Sequence, residues 1–239
     1  MNHAQAIATC PDGGCDGSGW LLDERSNTTR PCTCRARRIK RARFRRVATS
    51  LPRLYLDSAA DLDRRPVIDI RPRTAREAIR RYARNLDENL AAGRGLWLEG
   101  PPRSGKTSAA IAIAKEAERA GHAVGFHVVP ELLSMIRRSF AGQGADDYSS
   151  VKRGIDALDL LVLDDLGAEQ TTEWVLEELY VIINRRLLDM KAVLVTTGLS
   201  DSELARQLTP RVVSRLRRVC GEPLTLTGLR EEERLALVE

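Results

Sequence analysis

The sequence predicts an α/β domain over residues 47–239, preceded by a small cysteine-bearing segment over residues 1–46. Three observations predict it. From about Val47 onward, short apolar runs alternate with amphipathic ones, the rhythm of strands and helices laid alternately along a chain. One apolar run, Gly95 to Glu99, leads directly into Gly100-Pro101-Pro102-Arg103-Ser104-Gly105-Lys106-Thr107, which fits the phosphate-loop pattern G-x-x-x-x-G-K-[ST]. Another, Leu160-Leu161-Val162-Leu163, ends in two acids, Asp164 and Asp165.

Met1 to about Cys34 is rich in Gly, Cys and turn formers and lacks a periodic apolar pattern. It cannot build a core alone, so something else must hold it. Arg35 to Arg46 carries eight basic residues in twelve, has no Pro or Gly, and can be helical. Beyond it, Thr74 to Ala91 reads as one amphipathic helix with Ala78, Tyr82 and Leu86 on a face. Gly95 to Glu99 is a strand, and Lys106 to Ala120 is an alanine-rich helix stopped by Gly121. Ala123 to Val129 is a strand, and Pro130 opens a helix through Leu132, Leu133 and Ile136. Asp146 to Asp156 is polar and reads as surface. Leu158 to Leu163 is a buried strand, Glu173 to Asp189 a helix, Ala192 to Thr197 a strand, Asp201 to Leu208 a helix, and Leu224 to Leu226 a last strand.

Composition removes several classes. The 239 residues are 43% hydrophobic and 30% charged, enough for a packed core. Aromatic residues are only 4%, which disfavours a base-stacking platform. No run approaches a membrane span, and the first thirty residues lack an apolar signal core, so a cytoplasmic protein with reduced thiols is expected. The net charge of +5 favours a polyanionic partner without naming one. Arginine far outnumbers lysine, which a GC-rich genome explains as well as any function does.

The chemistry of the loop explains its pattern. A strand delivers the chain to a tight turn whose backbone N–H groups face a phosphate, and the following helix aims its positive end at the same anion. Gly100, Pro101, Pro102, Arg103, Ser104, Gly105, Lys106, Thr107 and Ser108 form this nucleotide cradle, with Lys106 on the β- and γ-phosphates of ATP and Thr107 on Mg²⁺. A strand beside the loop strand would set Asp164 at the same Mg²⁺, leaving Asp165 to orient or deprotonate water. Thr196 or Thr197 would contact the γ-phosphate or that water. Arg211 and Arg215, four apart, share a helix face.

Taken together, the loop, the strand ending Asp164-Asp165-Leu166-Gly167, the run from Glu173 to Arg186, the Thr196-Thr197-Gly198 strand end and Ser214-Arg215-Leu216 resemble the DnaC/IstB-like AAA+ ATPases over about Leu51 to Arg230. The resemblance implies a P-loop NTPase fold of AAA+ type, a five-stranded parallel sheet between helices with little or no lid. It implies an ATP-dependent loader of a replicative DNA helicase, self-associating so that nucleotide lies between subunits, with single-stranded DNA as a further partner. A transposition helper acting on double-stranded DNA and a weakly hydrolysing regulator are the alternatives. By position, Lys106, Asp164, Asp165, Thr197 and Arg215 take the catalytic roles, with Asp164 and Asp165 as the Walker B pair, Thr197 in sensor 1 and Arg215 as a finger toward a neighbour's nucleotide. Gly198 stands where the family commonly has Asn, so either Thr197 substitutes or hydrolysis is slow. Arg230 matches a terminal arginine of the family.

Cys10-x4-Cys15 and Cys32-x-Cys34 bracket a sixteen-residue loop. Four thiolates suit a tetrahedral structural Zn²⁺, and a metal answers the missing core. Four free thiols are the other reading. The basic run after Cys34 either lies along DNA phosphates or is a solvated linker helix. Cys220 and the three histidines, His3, His122 and His127, lack ligand spacing.

Overall fold

The computed structural model describes residues 10, 13–16, 18–23, 26, 28–35, 70–140 and 147–228. The chain divides into two units, Met1–Arg46 and Val47–Glu239.

In the first, β1 (Trp20–Asp23) pairs antiparallel with β2 (Thr28–Pro31), and Cys32 N–H donates to the Gly19 carbonyl to extend the hairpin. Beyond Arg35 the basic run lies outside the described residues.

In the second unit the described elements are α1 (Arg73–Arg84), α2 (Leu86–Ala91), β3 (Leu96–Glu99), α3 (Lys106–Arg119), β4 (Val124–Val128), α4 (Val129–Phe140), α5 (Tyr148–Ala157), β5 (Leu160–Asp164), α6 (Glu173–Leu188), β6 (Ala192–Thr197), α7 (Asp201–Cys220) and β7 (Leu224–Thr225). The five strands β3 to β7 form a parallel sheet in the order β4-β5-β6-β3-β7. A parallel sheet buried on both faces needs side chains that suit both, which is why its strands read as unbroken apolar runs. Successive residues then face opposite ways. Leu98, Leu160, Val162, Ala192 and Leu194 pack with α1, α2 and α3. Trp97, Leu161, Leu163, Val193 and Val195 pack with α4 to α7. Buried alanines 109, 110, 112, 114 and 117 bring α3 close to the sheet.

Four elements differ from expectation. The first helix is broken at Asn85 (φ −103°, ψ 32°), and its buried stripe is Ala75, Ile79, Tyr82 and Leu86, with Ala78 half-buried. The polar stretch before β5 is the helix α5, capped by the Asp147 carboxylate on Ser150 N–H and anchored by Val151 and Ile155. The helix from Asp201 runs on to Cys220, kinked where Thr209 takes φ 76° and ψ 146° ahead of Pro210. And β5 is not a neighbour of β3, because β6 lies between them.

Arg186 is 1% exposed, near the edge where β5 and β6 begin. Its guanidinium donates to the carbonyls of Ile155 (2.9 Å), Leu158 (3.2 Å), Asp159 (3.3 Å) and Ala192 (2.7 Å). Burial draws its pKa down to about 10, leaving it charged at neutral pH. Arg186→Met keeps the stem and strands buried carbonyls, each costing roughly 1–3 kcal/mol. We expect a loss of about 3 kcal/mol or more by urea unfolding and little rescue by lysine, whose single ammonium cannot span these acceptors. A loss below about 1 kcal/mol would remove Arg186 as a fastener.

Candidate functional site

The loop from Gly100 to Lys106 leaves β3 and enters α3. Gly105 caps α3 from the left-handed region (φ 93°), and Gly100 has φ 145° with the Leu226 carbonyl 2.0 Å from where a Cβ would stand. No side chain fits there. Arg103 also holds a left-handed backbone (φ 63°) although it carries a Cβ, a conformation that costs roughly 1–2 kcal/mol in such residues. Pro101, Pro102 and Arg103 are exposed, Ser104 is buried, and Thr107 and Ser108 are half-buried in the first turn of α3. The Lys106 ammonium donates to the carbonyls of Gly100 (2.7 Å) and Pro101 (2.8 Å) and so bridges the loop. Burial lowers its pKa, against the opposing pull of Asp165 and Asp164.

Although β6 intervenes, Asp164 still reaches the loop, because α3 packs across both β5 and β6. The Thr107 hydroxyl donates to Asp164 Oδ1 at 3.0 Å, and the Thr196 hydroxyl donates to the same oxygen at 2.6 Å. Asp165 N–H donates to Thr196 Oγ1 at 3.0 Å, and Asp165, exposed, takes a left-handed backbone (φ 60°). Such outliers gather where surrounding structure holds a group for use. Two hard oxygens 3.0 Å apart match adjacent ligands of an octahedral Mg²⁺, whose roughly 2.1 Å bonds set them about 3.0 Å apart.

The threonine pair divides differently from expectation. Thr197 is fully buried, donates to the Leu166 carbonyl (2.6 Å) and accepts from Leu199 N–H (3.1 Å), so its hydroxyl is committed within the chain. Thr196 is the one that meets the acids. Strand alternation carries this signal, since the two residues must face opposite ways. Gly198 is exposed, with nothing within 4 Å of a Cβ added there. Glu169 was not singled out by any sequence pattern. It is 8% exposed and accepts from Gly167 N–H (2.9 Å), and burial raises its pKa, with help from Asp165.

Among the described residues Arg215 makes no hydrogen bond to the Lys106–Thr107–Asp164–Thr196 group, and its Nε is buried without a hydrogen-bond partner. Arg230 lies outside the described residues. Cys220 donates to the Val193 carbonyl (3.2 Å), and burial pushes its thiol up to about 12, which makes it inert. His127 is buried and drawn down to about 4, hence neutral, and His122 contacts Asp87 (2.6 Å).

In the first unit the Sγ atoms of Cys10, Cys15, Cys32 and Cys34 all lie within 4.8 Å of one another, with Cys10–Cys32 at 3.8 Å and Cys15–Cys34 at 3.6 Å. A tetrahedron of roughly 2.3 Å Zn–S bonds has edges of about 3.8 Å, so the donor set fits zinc.

Burial, the largest influence on Asp164, raises its pKa, while the Thr196 and Thr107 hydrogen bonds pull it back. A carboxyl raised in the folded state favours folding most when protonated, and that contribution is lost as pH rises through its folded pKa. At neutral pH its ionisation therefore costs stability. Asp164→Asn should melt a few degrees higher than the parent without nucleotide while losing turnover; a lower midpoint would contradict the balance described.

Comparison with known proteins identifies the family. The family described as IstB-like ATP binding protein matches residues 36–214. The replicative helicase loader DnaC of Buchnera aphidicola subsp. Schizaphis graminum is 25% identical over 151 residues, 63% of this chain and 59% of that protein. The replicative helicase loader DnaI of Bacillus subtilis is 28% identical over 118 residues, 49% of this chain and 37% of that protein. The chain thus spans about three fifths or less of the length of these curated relatives. The crystal structure of the DnaC helicase loader superposes with a TM-score of 0.63 at 26% identity, covering 73% of this chain and 99% of that one. Family and fold support a nucleotide-binding ATPase. With the family match reaching well past half its length, and a parallel sheet of the same architecture carrying the phosphate loop, the chain belongs to the DnaC/IstB-like AAA+ ATPases.

Proposed function

We propose that the protein is an ATP-driven loader of a replicative DNA helicase, hydrolysing ATP at sites shared between subunits. The observation that carries the reading is the likeness to the DnaC helicase loader structure across nearly all of that chain, joined to an engine whose acid, hydroxyl and lysine meet at one loop. Gly100 to Ser108 cradle the phosphates. Lys106 exchanges its two carbonyl acceptors for phosphate oxygens, a trade its position between them prepares. Thr107 and Asp164 would hold Mg²⁺, which would supply charge neutralisation on the phosphates. Asp165 orients the attacking water, and Thr196 fixes both acids in place. Arg215 acts on the nucleotide of a neighbouring subunit.

The first unit takes zinc through its four cysteines. Residues 1–46 hold ten basic residues against four acidic ones, so the chain's excess positive charge is carried there. That charge supports a contact with single-stranded DNA or an acidic helicase surface through this unit. The match to the IstB-like family supports one other job for the same engine, the transposition helper on double-stranded DNA that the sequence resemblance also implies.

Two experiments test this reading. Mixed with its source's replicative helicase, the protein should co-elute at a defined stoichiometry, as read by light scattering with ATP and without. Lys106→Ala should reduce ATP turnover at least a hundredfold. No complex in either state, with DNA binding and turnover intact, would shift the function to the transposition helper. Separately, purified protein should carry about one zinc per chain, and Cys34→Ser should lose it; a folded, metal-free first unit would overturn the zinc assignment.

A further inference from the structure

The turn that follows β5 is held by side chains that the phosphate loop does not need. Asp165 (φ 60°) and Gly167 (φ 95°) both take left-handed backbone within three residues. That conformation costs a residue with a Cβ roughly 1–2 kcal/mol, so the surroundings must enforce it at Asp165. The Asp165 carboxylate gives no help. It is exposed and, among the described residues, makes no hydrogen bond or ion pair. Where it stands is therefore decided by its backbone.

Four side chains hold that backbone. Thr196 Oγ1 accepts the Asp165 N–H at 3.0 Å, and the Thr197 hydroxyl donates to the Leu166 carbonyl at 2.6 Å. The other two hold Gly167. Glu169 Oε2 accepts the Gly167 N–H at 2.9 Å, and Gln207 Nε2, from α7, donates to the Gly167 carbonyl at 2.7 Å. Both backbone polar groups of Gly167 thus end on side chains. The turn's own backbone closes with the Ala168 N–H on the Asp165 carbonyl at 3.2 Å, the long end of the normal range.

The residue types are informative. Glu169 is 8% exposed, and its Oε1 is buried without a hydrogen-bond partner. A buried polar atom left unpaired costs roughly 1–3 kcal/mol. The other oxygen supplies what an apolar side chain cannot, an acceptor for the Gly167 N–H. Packing narrows the alternatives further. A Cβ at Gly167 would lie 2.6 Å from Leu199 Cδ1 and 3.2 Å from Leu204 Cδ1, so the turn is pressed against the start of α7. Gln207 stands three residues beyond Leu204, on the same side of that helix. The helix therefore both packs against the turn and bonds it.

We propose that Glu169 and Gln207 are positioning residues for Asp165: by holding the N–H and the carbonyl of Gly167 they set the left-handed turn, and with it the place where the Asp165 carboxylate meets the attacking water. The proposal rests on the reading of Asp165 as the residue that orients water, and adds two residues that act only through it.

The test uses the full-length protein and reads steady-state ATP turnover together with the affinity for ADP. Glu169→Ala removes the acceptor, Glu169→Gln keeps it, and Gln207→Met keeps the side-chain length and removes the donor. Glu169→Ala and Gln207→Met should each lower kcat about five- to twentyfold, with the KM for ATP and the affinity for ADP within about twofold of the parent, because the phosphate loop is untouched. Glu169→Gln should recover at least about half of the parent kcat. Added to Asp165→Asn, Glu169→Ala should cause no further loss, since it acts through that acid. Parent-level kcat in either Glu169→Ala or Gln207→Met, beside a large loss in Asp165→Asn, would overturn the proposal and leave the role of Asp165 standing. So would a Glu169→Gln variant as impaired as Glu169→Ala, which would make the charge rather than the hydrogen bond the feature that matters, or a further loss in the double variant. Unchanged turnover in Asp165→Asn would overturn the reading of Asp165 and the proposal with it. Melting midpoints within a few degrees of the parent separate these outcomes from a failure to fold. If Glu169→Ala does not fold, Gln207→Met, changed at a half-buried position on a different element, carries the same test.

Discussion

The buried carboxylate of Asp164 is the constraint that the ATPase unit is built around. At 6% exposure it cannot be left to water, so donors must be brought to it. They come from two other elements: Thr107 at the start of α3 and Thr196 near the end of β6. Those hydrogen bonds tie the end of β5 to the phosphate-loop helix and to the strand that separates β5 from β3. Thr196 passes the constraint on, because the same oxygen accepts the N–H of Asp165 and fixes the left-handed turn that exposes the second acid.

The opposite end of the same strands is fastened by a charge of the other sign. Arg186 is held by backbone carbonyls around the starts of β5 and β6, with no side-chain partner in the bond set. The two ends do different work. The arginine faces fixed carbonyl acceptors and has no reason to exchange them. The aspartate faces hydroxyls, which can re-form bonds when a cation arrives, so rigidity sits at one edge and adaptability at the edge that carries the loop.

Much of the fold was legible because a doubly covered parallel sheet writes its strands as apolar runs, and β3, β5 and β6 stand where those runs stand. The phosphate loop was legible because its chemistry prescribes residue types at fixed spacing. What escaped depends on distant partners. Helix α5 buries only Val151 and Ile155 as apolar side chains, with Tyr148 half-buried beside them, too few to outweigh its polar composition. The strand order, with β6 inserted between β3 and β5, is a matter of pairing that no local pattern encodes. Thr197 resembled a catalytic hydroxyl because Thr196 and Thr197 are chemically identical; only the pleat tells them apart. Arg186 sat inside a recognisable helix, yet its acceptors on Leu158 and Ile155 lie 28 and 31 positions away.

The crossing of Leu226 over Gly100 bears on how this ATPase unit can be recombined. The last described strand is not an appendage: Leu226 N–H bonds the Glu99 carbonyl at 2.7 Å, and its own carbonyl occupies the space a side chain at Gly100 would need. The loop and the strand are therefore one inheritance unit despite some 125 intervening residues. A chimera that exchanges the segment up to the end of α7 would pair a phosphate loop with a foreign edge strand, and its defects would mimic a damaged nucleotide site. Modular boundaries in this chain belong after Gly228, not at the end of the last long helix.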